Sequence, residues 1–329
     1  MADHLRDLVR KTGRRSAGAI VAAVDAGGER TVAAWAPRGV AAGGDTVFEI
    51  GSVTKPFTAV LLAEMVARGE VALDNPLAEH LPAARDLGLA DVTLEQLATH
   101  RSGLPNAPGP MFAREVAMLG GLQRANPWIG VDEARYHELV RAARRTGGGK
   151  VRYSSVGFGL LGDALAARAG APYGELLRER VLAPLGLTST GVDVPPTLPG
   201  VSRRGRPKPE LIDPMPAAGA VRSTASDLLR FLAACREPSA VGGPLGEALA
   251  LTQQPRAKVR KGAAFGLGWI VLDGKGEPRV VWHNGGTYGF RSFVGFAPER
   301  GVSVAVLTNV ARDVTHLGHR LLREALQDA

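Results

Sequence analysis

The chain has 329 residues and lacks three features that would each point to a particular class of protein. Its one cysteine, Cys235, excludes an internal disulfide. No apolar stretch approaches the roughly 20 residues that a membrane-spanning helix needs. The charged segment 1–18 is also not followed by the apolar core of a signal peptide. The sequence therefore predicts a cytoplasmic protein with no membrane partner.

Clustered basic residues with interleaved aromatics are also missing, although the net charge is +8 at pH 7. The densest basic tracts, residues 203–208 and 258–261, contain no aromatic side chain. We interpret both as solvated loops and predict no nucleic-acid partner. No serine stands in a Gly-x-Ser-x-Gly sequence either, which excludes the nucleophile elbow of the α/β-hydrolases.

The pattern of the sequence changes twice along the chain, and 45% of its residues are hydrophobic, enough for a substantial core. Short β-like runs near both termini enclose a middle region of capped helices and of loops rich in proline and glycine. We predict an α+β fold in which one antiparallel sheet is formed from both chain ends and flanked by helices, with a mostly helical inserted subdomain. The predicted sheet subdomain is discontinuous, residues 1–73 and 256–329, the helical subdomain is 74–255, and the active site lies in the cleft between them.

Individual elements can be predicted from capping and turn residues. Helices are predicted over residues 52–68, ending before Gly69, over 133–145 and 157–169, and over 315–327 at the end of the chain. Thr93 and Gln96 form a capping box that opens another helix. His316 and His319 are assigned to the solvent-facing side of the terminal helix, so that no metal site is predicted there.

Ser52 and Lys55 are the first chemical signal, because they are three residues apart at the start of an apolar helical run. Residues at this spacing share one face of a helix, which places the amine against the hydroxyl. A serine is a weak nucleophile without an adjacent base, and a lysine shielded from water can be that base because burial lowers its pKa. The alternative is that Ser52 is a plain N-cap.

Two later segments add polar groups with less specific spacing. Tyr153 follows a glycine-rich turn and precedes a helix, where a phenol beside a lysine ammonium can take or give a proton; a purely structural tyrosine is the alternative. His283 is followed by Asn284, Gly285 and Gly286 in an otherwise good strand. Such glycines let a ligand approach the backbone, and a free N–H there can form an oxyanion hole with that of Ser52. A simple glycine bulge is the alternative.

Together these segments resemble the three motifs of the penicillin-recognising serine enzymes. Ser52-Val53-Thr54-Lys55, Tyr153-Ser154-Ser155 and His283-Asn284-Gly285 stand in that family's order and rough spacing. The branch most similar contains the class C β-lactamases, the D-alanyl-D-alanine carboxypeptidases, the D-aminopeptidases and the β-lactamase-fold esterases, and the match covers roughly residues 17 to 327. The resemblance implies a β-lactamase/transpeptidase-like fold.

The resemblance also implies roles for individual residues. Ser52 resembles the acylated nucleophile and Lys55 its proton partner. Tyr153 resembles the base that activates the serine and later activates water. The backbone N–H groups of Ser52 and Gly286 match the oxyanion hole, and the predicted substrate-binding residues are Ser155, His283, Asn284 and Gly285. His100, Ser102 and Asp227 fall in stretches that are structural in the family.

Two positions depart from the family pattern. Ser155 stands where an asparagine usually binds the substrate amide and the lysine, and His283 stands where a lysine holds a substrate carboxylate. A histidine is mostly neutral at pH 7, so both changes favour esters, or amides without a free carboxylate. We therefore expect a serine hydrolase or acyltransferase that works through an acyl-Ser52 intermediate, most simply a carboxylesterase acting on small esters or amides without a cofactor or metal.

Other functions remain open at this point. A β-lactamase, a D-alanyl-D-alanine carboxypeptidase or D-aminopeptidase and a biosynthetic transacylase share the same acyl-enzyme chemistry. A catalytically inert binding protein of the same fold is the alternative without catalysis, and the change at Ser155 is the feature that favours it.

Overall fold

The computed structural model describes residues 2–14, 16–109, 111, 113–114, 117, 126–143, 145–211 and 214–328. Within these ranges, strands near both chain ends enclose a mostly helical middle region, and a helix stands at each end of the chain. The strands are β1 (Ile20–Ala26), β2 (Glu29–Trp35), β3 (Phe48–Glu49), β4 (Arg222–Ser223), β5 (Ala257–Arg260), β6 (Ala263–Phe265), β7 (Ile270–Leu272), β8 (Val280–Gly286), β9 (Arg291–Ala297) and β10 (Val302–Thr308). The α-helices are α1 (Ala2–Gly13), α2 (Thr54–Ala67), α3 (Leu77–His80), α4 (Leu94–Ala98), α5 (Glu133–Arg141), α6 (Ser155–Ala169), α7 (Tyr173–Leu177), α8 (Pro216–Gly219), α9 (Ala225–Arg236), α10 (Pro238–Val241), α11 (Gly243–Thr252) and α12 (Thr315–Asp328).

Eight strands form one antiparallel sheet in the order β2-β1-β10-β9-β8-β7-β6-β5. Strand β1 pairs with β10 over its whole length, from Ile20 opposite Thr308 to Ala26 opposite Val302. This pairing joins the two ends of the chain and confirms the predicted sheet. A 3-10 turn over Pro298–Arg300 joins β9 to β10 in a hairpin.

Helices cover both faces of the sheet, and the alternation of side chains along β1 explains how. Ile20, Ala22 and Val24 pack with α1 and α12 in one apolar cluster, whereas Val21 and Ala23 belong to a larger cluster with α2, α9 and α11. Successive side chains of a strand point to opposite faces, so a uniformly apolar strand requires cover on both sides.

Helix α2 lies at the centre of the larger cluster and carries the Ser52-Lys55 motif at its start. Twelve of its fourteen residues are buried, which matches a helix that is apolar on every side. It ends where predicted, with Gly69 in the left-handed conformation at φ 71°. The capping box of Thr93 and Gln96 at the start of α4 is also confirmed.

The predicted division into a sheet subdomain and a helical subdomain remains a prediction. Helices α9 and α11 fall within residues 74–255, yet α9 packs against β1, β9 and β10, and α11 packs against α2. Helix α6, in contrast, packs against the helices α2, α3, α4, α7 and α8. Among the described residues, no helix combines the length and the apolar composition that crossing a bilayer requires.

Three local predictions were wrong, and one helix was not predicted. Residues 257–260 form edge strand β5 instead of a loop, because Ala257 and Lys258 pair with β6. The charged start of the chain is helix α1, whose buried Leu5, Leu8 and Val9 lie on one side; the charges had hidden this amphipathic pattern. Helix α5 ends at Arg141, short of 145. His319 is only partly exposed, since its ring lies 4.5 Å from that of Trp282 and 4.9 Å from that of Phe293.

Candidate active site

The turn that carries Ser52 is tied to two neighbouring segments. Gly51–Val53 is one turn of 3-10 helix, and Gly51 has a φ of 52° that favours glycine. The N–H of Ile50 donates to Val221 O, and the hydroxyl of Ser292 on β9 donates to Ile50 O at 2.7 Å. No side chain caps α2, so Ser52 is not an N-cap and its hydroxyl is available to the cleft.

Lys55 is fully buried and its amine points at Ser52, as the spacing predicts. Nζ lies 3.1 Å from Ser52 Oγ, 3.2 Å from Ser155 Oγ and 2.8 Å from Ala218 O, donating to each. The amine also lies 5.0 Å from the centre of the Tyr153 ring. Lys55 therefore joins the first motif to the second and to helix α8.

Tyr153 is half-buried and its hydroxyl is hydrogen-bonded to Ser52. Burial raises the pKa of the phenol, and the hydrogen bond with Ser52 offsets this only in part. The expectation that the neighbouring lysine favours the phenolate is therefore wrong, because desolvation dominates and the phenol keeps its proton.

Asn106 also belongs to this site, although no motif in the sequence pointed to it. Its Oδ1 accepts hydrogen bonds from Ser155 Oγ at 2.9 Å and from Ser155 N at 3.2 Å. Ser155 Oγ thus accepts from Lys55 and donates to Asn106. Asn106 thus brings a carboxamide from a different loop next to Ser155, the position at which the family's second motif usually has an asparagine. Because Asn106 lies outside all three motifs, spacing could not reveal it.

Strand β8 forms the opposite wall and touches the nucleophile turn through its glycines. A Cβ at Gly285 would lie 2.0 Å from Ile50 O and 3.0 Å from Ser52 N, and one at Gly51 would lie 2.6 Å from Gly286 N. Only glycine allows this approach. It brings the Gly286 backbone beside Ser52, as an oxyanion hole requires. Asn284 also lines the cleft, although its Nδ2 donates to Thr315 Oγ1 at the start of α12.

His283 is buried beneath this wall, with only 1% of its surface exposed. Burial lowers its pKa to about 3, and the charge of Lys55 adds to the effect. His100, on the other side of Tyr153, is also fully buried, and burial holds its pKa well below the ordinary value. The rings of the two histidines lie 6.2 Å and 4.4 Å from that of Tyr153. Both imidazoles are thus neutral groups that flank the phenol.

The cleft beside Ser52 is an open cavity of about 500 Å³. Tyr153, Ser155, Asn284, Gly285 and Gly286 line it, as predicted for binding residues, whereas His283 lies behind its surface. Its other lining residues were not predicted, and they include Asn106, Trp128, Tyr288, Arg291 and Asp313. Within the described ranges, no group of three or more potential metal ligands occurs.

Comparison with known proteins identifies the architecture around this cleft. The profile of the Beta-lactamase family matches residues 2–327, nearly the whole chain. The chain belongs to the Beta-lactamase family. A β-lactamase of Pseudomonas fluorescens is similar to this family member, with 28% identity over 304 residues, which are 80% of each chain. The D-alanyl-D-alanine-carboxypeptidase/endopeptidase AmpH of Escherichia coli K12 is 28% identical over 282 residues, 80% of this chain and 71% of AmpH.

Solved structures agree on the fold of this β-lactamase family member. The β-lactamase/D-alanine carboxypeptidase of Pseudomonas syringae superposes with a TM-score of 0.82 at 22% identity, covering 99% of this chain and 98% of the other. The penicillin-binding protein homologue of Pyrococcus abyssi gives a TM-score of 0.83 over 99% of this chain and 78% of the other, also at 22% identity. The predicted β-lactamase/transpeptidase-like fold is confirmed, and the chain is a β-lactamase-fold serine hydrolase.

Proposed function

We propose that the protein hydrolyses small carboxylic esters through a covalent acyl-Ser52 intermediate. The observation that carries this proposal is the 3.1 Å contact between Lys55 Nζ and Ser52 Oγ at the wall of an open cleft. A buried amine at this distance can take the hydroxyl proton as the oxygen attacks a carbonyl carbon.

The proton path follows from the contacts around Ser52. When Lys55 is deprotonated, Ser52 O–H donates to Nζ, and the proton moves to the amine as the bond from Oγ to the acyl carbon forms. The alkoxide that leaves then takes a proton from the Tyr153 hydroxyl, which is held neutral by burial. Lys55 returns a proton to Tyr153, and the same groups activate water in reverse to release the acid.

Two sets of groups would hold the reacting carbonyl. The backbone N–H groups of Ser52 and Gly286 would stabilise the oxyanion, a contribution that is typically about 10²–10³ in rate for each donor. Asn106, whose Oδ1 is held by Ser155, would offer its Nδ2 to the remainder of the acyl group. Ser155 and Asn106 together would then replace the single asparagine of the family's second motif.

The preference for esters rests on the third motif. His283 is buried and neutral, with a pKa lowered to about 3, so it provides no charge of the kind that a lysine there would offer a β-lactam or peptide carboxylate. An ester also has a better leaving group than an unstrained amide, which suits a site with one neutral phenol as its proton donor.

Turnover and covalent labelling test this proposal together. We expect hydrolysis of p-nitrophenyl butyrate, and a fluorophosphonate adduct in the intact mass that disappears in Ser52→Ala. Lys55→Met should lose about 10²–10⁴ in rate, while Lys275→Met, which changes an exposed lysine, should not. An absence of both turnover and adduct would favour an inert binding protein of the same fold.

Cleavage of β-lactams or of D-alanyl-D-alanine is the second candidate, because relatives at 28% identity carry those names. A fluorescent penicillin separates the two functions. Rapid labelling of Ser52 by penicillin without ester turnover would support the second candidate. Ester products that appear only when an alcohol acceptor is added would instead indicate a transacylase.

A further inference from the structure

Tyr173 is a buried titratable residue that the proposed chemistry does not use. It begins helix α7, and only 6% of its surface is exposed. Its hydroxyl lies 2.7 Å from Thr58 Oγ1 on α2, one turn after Lys55. Burial raises the pKa of this phenol, and the hydrogen bond with Thr58 offsets the rise only in part. The hydroxyl therefore keeps its proton and can donate it in a hydrogen bond.

The distances around Thr58 determine which group donates. Thr58 Oγ1 lies 2.7 Å from Ala217 O in helix α8 and 3.4 Å from Thr54 O, one turn earlier on α2. A carbonyl oxygen can only accept, and two oxygens 2.7 Å apart need a proton between them. The single hydroxyl proton of Thr58 therefore points at Ala217 O. The contact on the other side is then a hydrogen bond from Tyr173 to Thr58.

Lys55 binds the next carbonyl of the same helix. Its Nζ donates to Ala218 O at 2.8 Å, and Lys55 and Thr58 share one face of α2. The peptide plane that contains Ala217 O ends at the Cα of Ala218, so holding the first carbonyl restricts the direction of the second. A chain of hydrogen bonds thus runs from Tyr173 through Thr58 to the segment that orients the amine.

A further contact ties this segment to α2. The N–H of Val221 donates to Thr54 Oγ1 at 3.1 Å. Ala218 and Gly219, which precede this attachment, line the cleft. The α2 side chains that hold the segment are all fully buried: Thr54, Lys55 and Thr58. A hydrogen bond that is lost there is not replaced by bulk water.

We propose that Tyr173 and Thr58 are positioning residues, which aim the Lys55 amine at Ser52 by fixing the carbonyl that this amine binds. The inference rests on the proposed role of Lys55 as the base for Ser52. Tyr173 and Thr58 are not among the described residues that line the cleft, so they act on the reaction through the amine and not through the substrate. Their loss should slow the attack by Ser52 with little effect on ester binding.

Removing each hydroxyl tests the proposal. In Tyr173→Phe and Thr58→Val we expect kcat for p-nitrophenyl butyrate to fall about 2- to 10-fold, the range of one hydrogen bond, with little change in KM. The rate constant for labelling of Ser52 by the fluorophosphonate should fall by the same factor, because that reaction reports the reactivity of the serine. Thr58→Ser keeps the hydroxyl and should retain most of the activity.

Coupling to Lys55 separates positioning from a general effect on the fold. In the Lys55→Met enzyme the amine is gone, so adding Tyr173→Phe should not slow the residual labelling of Ser52 any further. A purely structural tyrosine would instead cost the same factor in both backgrounds. Equal factors, or wild-type kinetics in a folded Tyr173→Phe or Thr58→Val, would overturn the positioning role while ester hydrolysis stands.

A buried threonine elsewhere in the core provides the matched control. Thr252→Val removes a hydroxyl that donates to Leu249 O at 3.0 Å within α11, and this variant should keep the wild-type kcat. Thermal unfolding checks that each variant is folded; if Thr58→Val is not, Tyr173→Phe, which keeps the aromatic ring, decides alone. A wild-type enzyme without Ser52-dependent turnover or labelling would overturn the proposed ester hydrolysis instead.

Discussion

Ser52 lies between two regions of the cleft that hold their cations in opposite ways. On one side Lys55 is fully buried, and its amine donates to Ser52, Ser155 and Ala218. On the other side Arg291 is half-buried and donates to the carbonyls of its own turn, and the nearby carboxylate of Asp313 attracts it. We call these the lysine side and the arginine side.

The difference indicates which side carries chemistry and which carries recognition. On the lysine side, hydrogen bonds from three separate segments fix each reacting atom, and such preorganisation is what lowers a barrier. On the arginine side, the guanidinium is held by the carbonyls of its own turn and lines the cleft. Substitutions on the lysine side should therefore affect all substrates alike, whereas those on the arginine side should affect some substrates more than others.

The largest loss of activity is expected from a substitution at Gly285, where β8 meets the nucleophile turn. In Gly285→Ala the new Cβ would lie 2.0 Å from Ile50 O, 2.5 Å from Ser292 Oγ and 3.0 Å from Ser52 N. We expect the strand to move away and kcat to fall about 10²–10³-fold for every ester, as when one oxyanion donor is lost. Unfolding free energy should fall by about 1–3 kcal/mol.

Gly43→Ala is the matched control for this prediction, because a Cβ there would have no neighbour within 4 Å. Both variants are measured for kcat with a neutral and an anionic ester and for urea unfolding. A Gly285→Ala enzyme that is destabilised but fully active would show that the oxyanion donors do not depend on this contact.

A smaller effect is expected at Asn106, the member of the lysine side that comes from outside the motifs. Asn106→Ala should lower kcat/KM by about tenfold, the value of one lost hydrogen bond to the substrate. Combining Asn106→Ala with Ser155→Asn restores a carboxamide beside Lys55 and should recover part of the loss. If the double variant is no better than the single one, Asn106 acts only by holding its loop. Gln254→Ala removes an exposed carboxamide as the control.

The lysine side was predictable from sequence because helical spacing determines it. Residues three apart at a helix start must face each other, and the register of a glycine-rich strand limits what it can approach. The sheet was predictable because apolar β-like runs at both chain ends indicated one sheet built from both termini, and β1 pairs with β10. Local pattern was sufficient wherever the partners belong to one element or one motif.

The arginine side was not predictable, because the position of Arg291 depends on contacts between distant segments. Arg291 appears in the sequence as a polar residue at the start of a strand, and only the pairing of β8 with β9 places it over Gly286. His319 was assigned to solvent for a related reason: the aromatic rings that cover it come from β8 and β9. Asn106 reaches Ser155 across 49 residues of chain.

The last expected effect concerns the dependence of stability on pH, and it tests whether the two histidines beside Tyr153 are neutral. The folded-state pKa of His283 is lowered from 6.5 to about 3, so below pH 6.5 the unfolded chain binds a proton that the folded chain does not. Stability should therefore decrease as the pH falls, by up to about 1.4 kcal/mol per pH unit for this group. His100 should act in the same direction. His283→Gln and His100→Gln should each flatten the dependence of urea unfolding on pH between 7 and about 4. His316→Gln is the control at an exposed position. If unfolding free energy depends on pH in both buried variants as it does in wild type, these imidazoles are charged in the folded protein. Their charges, and not burial alone, would then determine the electrostatic surroundings of Lys55.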